Sequence, residues 1–160
     1  MSSVSRSNWS VIPWILLCEC AGVLGTIFTA SAIPTWYATL EKPALNPPSW
    51  VFGPVWTILY ALMGIAAFLV WRQGREKKEV KQALAVFGVQ LILNAVWSIL
   101  FFGAQNPFIA LVDIIVLLCA IVLAMVFFFR VSKPATYLLI PYFAWVSFAT
   151  YLNWSIYRLN

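Results

Sequence analysis

Residues 41–50 read EKPALNPPSW. Three prolines, Glu41 beside Lys42, and Asn46 stand here between two long apolar runs. The stretch is too polar and too broken to cross a bilayer as a helix, because each proline removes a backbone donor and crowds the preceding turn. It therefore splits the flanking runs into separate segments, and the same reading divides the rest of the chain. The 160 residues are 63% hydrophobic and 9% charged, whereas soluble domains carry roughly 25% charged residues. A helix needs about 20 apolar residues to span the hydrocarbon. Five runs reach that length, at about 11–33, 51–71, 82–103, 107–129 and 134–157. They are continuous rather than alternating, which excludes the pattern of barrel strands.

The expected fold is an all-α membrane protein, one domain over residues 1–160, built as a bundle of five transmembrane helices with a long, ordered first loop. Residues 34–50 form that loop. The segment RQGREKKEVK (72–81) extends a helix end into water, while AQN (104–106) and RVSK (130–133) are short turns, so consecutive helices run antiparallel. Pro54, Pro107 and Pro134 fall in or near first turns, where proline is tolerated. Pro141 lies inside the fifth span and should kink it. Ala30-Ser31-Ala32 looks like a signal-peptidase site, but the preceding apolar run is longer than a signal core and contains Glu19, so this span is expected to be retained.

Charge sets an expected orientation. Arg6, Arg72, Arg75, Lys77, Lys78, Lys81, Arg130 and Lys133 share one side, against Lys42 and Arg158 on the other. The positive-inside rule places the N-terminus inside and the long loop outside. The net charge of +5 is thus a topology signal and not a nucleic-acid patch. The chain has no His, which removes the commonest metal ligand and general base. Cys18, Cys20 and Cys119 lie in apolar runs without metal-ligand spacing and read as small buried hydrophobes. No triad, phosphate loop or metal constellation is present, which speaks against ordinary hydrolytic chemistry.

Of nine Trp, Trp9, Trp14, Trp36, Trp50, Trp71 and Trp154 lie near span ends and read as interfacial anchors. Trp56, Trp97 and Trp145 lie deeper. Polar residues within spans usually face the bundle interior. Gln90, Asn94 and Ser98 repeat at i, i+4 and i+8, with Trp97 at their border. Trp145, Ala149 and Asn153 share that spacing, as do Trp56, Tyr60 and Gly64. Two arrangements satisfy these faces. They line one aromatic-walled cavity for a flat, largely apolar ligand, or they pack helix on helix with amides as hydrogen-bond glue. Asp113 is expected to bond a neighbouring helix end or loop, and Glu19 to pack at a helix interface. Gly22, Gly25 and Thr29 form a small-residue ridge suited to close packing or dimerisation.

Two stretches carry a resemblance. WYATLEKPALNPPSWVFGPVWTILY (36–60) and LLIPYFAWVSFATYLNWSIYRLN (138–160) resemble the signatures of the TspO/MBR family, the tryptophan-rich sensory proteins and translocator (peripheral benzodiazepine receptor) proteins. LNAVW (93–97) and the Asp113 position fit its third and fourth helices. The resemblance implies a homodimer in a membrane, most simply the cell membrane of a prokaryote. It also implies an intrabundle pocket for porphyrins or other haem-type tetrapyrroles, and for isoquinoline-carboxamide and benzodiazepine ligands, with no obligatory cofactor. Trp56, Gln90, Asn94 and Trp145 match its pocket positions, with Tyr60, Trp97, Ala149 and Asn153 beside them. Trp36, Lys42, Pro43, Pro47 and Pro48 match its loop signature. Leu45 stands where the family usually has Trp. Tyr151 and Tyr157 lack the spacing to Arg158 that the animal members' sterol motif needs, so sterol specificity is not expected.

Three functions are compatible with this reading. The first is tetrapyrrole binding in transport or stress sensing. The second is porphyrin breakdown driven by light and oxygen, which needs neither His nor metal. The third is a membrane scaffold with an incidental pocket. In the first two, residues 34–50 act as a semi-rigid lid whose prolines lower the entropy cost of one shape, with Trp36, Leu45 and Trp50 as its apolar underside.

Overall fold

The computed structural model describes residues 11–160; Arg6 and Trp9 lie outside the described residues. Helix α1 (Ile12–Ala32) is followed by a single turn, α2 (Trp36–Thr39), and a 3-10 turn at Ser49–Val51. Helix α3 (Phe52–Trp71), α4 (Lys78–Ser98), α5 (Pro107–Val131), α6 (Lys133–Leu138) and α7 (Ile140–Leu159) complete the chain. Among the described residues, five helical segments are long and apolar enough to cross a membrane, α6 and α7 together forming the fifth. At 1.5 Å per residue, a 20-residue helix covers about 30 Å, the hydrocarbon thickness.

Proline places several helix starts. Pro13, Pro107, Pro134 and Pro141 lie in the opening positions of α1, α5, α6 and α7, where the missing N–H has no intrahelical partner to lose. The expected kink at Pro141 coincides with a one-residue turn, and Leu139 (φ −86°, ψ −11°) is the joint between α6 and α7. Asn106 caps α5 by accepting the Ile109 N–H at 3.1 Å. The tight turn before it holds Gln105 at φ 52°. The third span starts earlier than its apolar run: Lys78–Lys81 already belong to α4.

The helices meet through small side chains. Ala66, Ala67, Ala83, Ala110 and Ala124 are fully buried at these contacts. At Gly64 an added Cβ would lie 2.5 Å from the Ile15 Cα, so α3 crosses α1 backbone to backbone. Gly64 is thus a packing residue and not part of a cavity wall, the second of the two arrangements that its spacing allowed. The Gly22–Gly25 ridge is also turned inward, against Tyr60 and Ser98, so it is not a free dimerisation surface. Leu16, Leu17, Val23, Leu24 and Ile27 of α1, with Val112, Ile115 and Val116 of α5, form an exposed apolar outer face, as lipid requires. Cys18 is buried, whereas Cys20 and Cys119 lie on the exposed face, correcting their assignment as buried hydrophobes.

Candidate functional site: an aromatic cavity beneath the first loop

Helices α1, α3, α4 and α7 enclose a cavity of about 550 Å³, within the range of about 300–1,000 Å³ usual for ligand pockets. On α1 its wall runs from Glu19 to Ile33, about 21 Å at the helical rise. Tyr60 stands opposite Glu19's end, and Tyr37, Ser49 and Trp50 of the first loop form the other end. α1 and α3 touch at Ile15–Gly64 and Gly22–Tyr60, then part. A Cβ added at Gly53 would meet nothing within 4 Å. Exposed Val23, Thr26 and Ala30 of α1 and Gly53 and Thr57 of α3 also line the cavity, so it opens sideways between these two helices.

The walls are aromatic. Trp56 stacks on Tyr60 with ring centres 5.5 Å apart and meets Tyr142 edge-on at 6.3 Å. Trp145 packs edge-on against Phe52 at 6.1 Å. The end of α4 widens into a π-helical turn at Ile99–Gly103. That turn brings Phe101 and Phe102 to the same wall, with Trp97 stacked on Phe101 at 5.3 Å. The Trp97 indole donates to Asn153 Oδ1 at 3.0 Å, and Asn153 Nδ2 donates to the Pro107 carbonyl at 2.8 Å. One amide thereby ties α4, α5 and α7 together, and its hydrogen-bonding groups face protein.

Trp56, Tyr60, Trp97, Trp145, Ala149 and Asn153 all border the cavity. Gln90 and Asn94 do not. They are buried behind Tyr60 in a hydrogen-bonded chain. The Tyr60 hydroxyl donates to Asn94 Oδ1, Asn94 Nδ2 donates to the Tyr142 hydroxyl at 3.0 Å, and that hydroxyl donates to Gln90 Oε1 at 2.8 Å. Tyr60 is the only member of this chain on the wall. Asn94 and Gln90 therefore fix the wall's position from behind.

The loop also departs from expectation. None of Trp36, Lys42, Pro43, Leu45, Pro47 and Pro48 borders the cavity; Tyr37, Ser49 and Trp50 do. Leu45 is 66% exposed and points away, so it is no part of an apolar underside. Trp36 packs on Phe101 at 5.5 Å instead. The loop is nonetheless pinned. The Tyr37 hydroxyl donates to Asn46 Oδ1 at 2.8 Å, and Lys42 Nζ sits 4.8 Å above the Tyr37 ring. Burial pushes the Tyr37 phenol's pKa up, and the Asn46 bond pulls it the other way. Asn160 clasps Glu41 from both sides, accepting its N–H at 3.0 Å and donating to its carbonyl at 3.1 Å. Asn160→Ala should speed amide hydrogen exchange at Glu41 and its neighbours while leaving α3 unchanged, as read by mass spectrometry.

Sequence reading placed Glu19 at a helix interface, yet it borders the cavity. Its signal was present, since it is the one charge in its span and such groups turn inward. Tyr37 carried a signal too, within the WY pair of the loop. Phe101 and Phe102 carried none, because the π-helical turn that places them has no distinctive composition. Asp113 lacks the expected bond: its Oδ2 is buried without a hydrogen-bond partner among the described residues.

Residues 14–158 match the TspO/MBR family. Tryptophan-rich protein TspO of Chlorobaculum tepidum is 51% identical over 90% of this chain and 91% of its own length. That of Archaeoglobus fulgidus is 49% identical over 91% and 94%. The translocator protein of Bos taurus is 36% identical over 92% of both chains. The match spans the whole helical bundle and both sequence signatures, and the chain is a multi-pass membrane protein belonging to the TspO/MBR family.

Proposed function

We propose that this protein binds a tetrapyrrole in the cavity beneath the first loop and acts in transport or stress sensing. The observation that carries the reading is the cavity itself: about 550 Å³, open between α1 and α3 and walled by Trp56, Tyr60, Trp97, Phe101 and Trp145. Such walls suit a flat, conjugated ring, which stacks on or meets aromatic faces edge-on at about 0.5–1.5 kcal/mol per pair beyond its area burial. Membership of the TspO/MBR family is consistent with the transport or sensing part of this reading. The basic residues, collected at Arg72–Lys81 and at Arg130 and Lys133, orient that end inward in a prokaryotic cell membrane, with the loop and cavity mouth outside. A homodimer is part of the proposal.

Protoporphyrin titrated into the full-length protein in detergent should quench Trp emission saturably. Trp56→Ala removes the ring that stacks on Tyr60 and should weaken binding about tenfold, the equivalent of one aromatic contact. Quenching that does not saturate, or that is equally tight in Trp56→Ala combined with Trp145→Ala, would exclude this cavity as the porphyrin site.

A further inference from the structure

Glu19 is the only acid among the described residues lining the cavity, and no Lys or Arg lines it. Its carboxyl group has no hydrogen bond or ion pair among the described residues. Glu19 stands seven residues into α1, about 10 Å from the helix start at the helical rise, well inside the apolar layer. An unpaired carboxylate there costs several kcal/mol. The nearby phenol does not relieve it, because the Tyr60 hydroxyl is committed to Asn94. Ser98 also lines the cavity and makes no hydrogen bond to Glu19, while Thr26 and Thr29 already donate to the Gly22 and Gly25 carbonyls at 3.0 and 2.9 Å. The cavity therefore presents one acidic group that no cation or hydrogen-bond donor of the described residues answers.

We propose that Glu19 selects the ligand: the cavity takes flat, lipophilic molecules that present a protonated or N–H-bearing nitrogen to α1. Anionic substituents on such a molecule point toward the loop, because at the Glu19 end they would meet a like charge with no cation to offset it. The inference rests on the cavity reading above but not on the ligand being a tetrapyrrole. It gives Glu19 a role in recognition in place of helix packing.

Three pyrene derivatives share one four-ring outline and differ in charge: pyrenemethylamine, pyrenemethanol and pyreneacetic acid. Each is titrated into the full-length protein in zwitterionic nanodiscs at neutral pH, with energy transfer from Trp to pyrene as the signal. Wild type should bind the amine at least about tenfold more tightly than the acid, after correction for lipid partitioning, since juxtaposed like charges cost more than the 1.4 kcal/mol of a decade. Glu19→Gln should erase most of that preference, and Glu19→Lys should invert it. Pyrenemethanol should still bind saturably in all three proteins, which reports an intact cavity. An amine preference unchanged in Glu19→Gln overturns the proposal, as does failure of all three probes to bind. Protoporphyrin measured on the same samples separates the two readings. Loss of porphyrin binding with Glu19-dependent amine selection intact removes the tetrapyrrole only; porphyrin binding without that selection removes the role of Glu19 only.

Discussion

Gly64→Ala should destabilise the bundle by about 3 kcal/mol, the upper end of what one added methyl group costs in a packed interior. The reason lies in what the new atom meets. Its Cβ would stand 2.5 Å from Ile15 Cα, 2.7 Å from Ile15 N and 2.8 Å from the Trp14 carbonyl oxygen. These are backbone atoms of α1, which cannot rotate away as a side chain can. α1 and α3 must move apart, which loosens the burial of Cys18 and Met63 and the Trp14–Trp71 ring contact at 6.2 Å beside the crossing. Without a hydrophobic driving force between helices in lipid, such close packing supplies much of the association energy. Gly88→Ala is the matched control. A Cβ there meets nothing within 4 Å, and the residue is interior to α4, so it should gain up to about 1 kcal/mol from helix propensity. Thermal unfolding in detergent, followed by Trp emission, reads both. A Gly64→Ala protein that melts with the wild type would show that α1 and α3 are not held by this crossing. Gly22→Ala is the intermediate case, because its clash is with the Tyr60 ring and not with backbone.

The helices were legible because their signal is bulk hydropathy over about 20 residues, which survives any detail of packing. Pro107 and Pro134 marked helix starts for an equally local reason. What each inward-facing residue touches was less legible. Spacing at i, i+4 and i+8 put Gln90, Asn94 and Ser98 on one face of α4, but a face is wider than a cavity. Ser98 borders the cavity while Gln90 and Asn94 stand behind Tyr60. Whether a polar stripe meets a void or a neighbouring phenol depends on α3 and α7, which a period within one helix does not encode. Gly64 illustrates the converse. It shares the Trp56–Tyr60 spacing, yet the crossing with α1 fills the space in front of it. The loop was read correctly as ordered, since its prolines and the Asn46 and Lys42 contacts hold it. Its inner face was misread at Leu45, because side-chain direction in an irregular segment has no period to follow.

Asn94→Leu should cost about 2 kcal/mol and should also weaken the cavity wall, and the two effects have one origin. Leucine keeps the approximate volume but removes the acceptor for the Tyr60 hydroxyl and a donor to the Tyr142 hydroxyl. Tyr142 still has Gln90 Oε1 to donate to at 2.8 Å, so its loss is partial. Tyr60 has no second acceptor among the described residues, and a buried donor left unpaired costs about 1–3 kcal/mol. Interhelical hydrogen bonds in membranes are worth only about 0.6 kcal/mol on average, so most of the penalty is the orphaned phenol and not the lost bond. Tyr60→Phe in the Asn94→Leu background removes the orphan while keeping the ring. The double variant should therefore recover at least about 1 kcal/mol, since replacing both partners by apolar groups can be nearly neutral. Ligand binding should follow the same order. In the single variant the Tyr60 ring loses its tether and with it the 5.5 Å stack against Trp56; in the double variant the ring is free to settle apolar face to apolar face. Unfolding temperature and probe affinity measured across wild type, Asn94→Leu, Tyr60→Phe and the double variant close the cycle. A double variant no more stable than Asn94→Leu would mean that Asn94 acts through Tyr142 and α7, and that the chain from Gln90 to Tyr60 does not set the cavity wall.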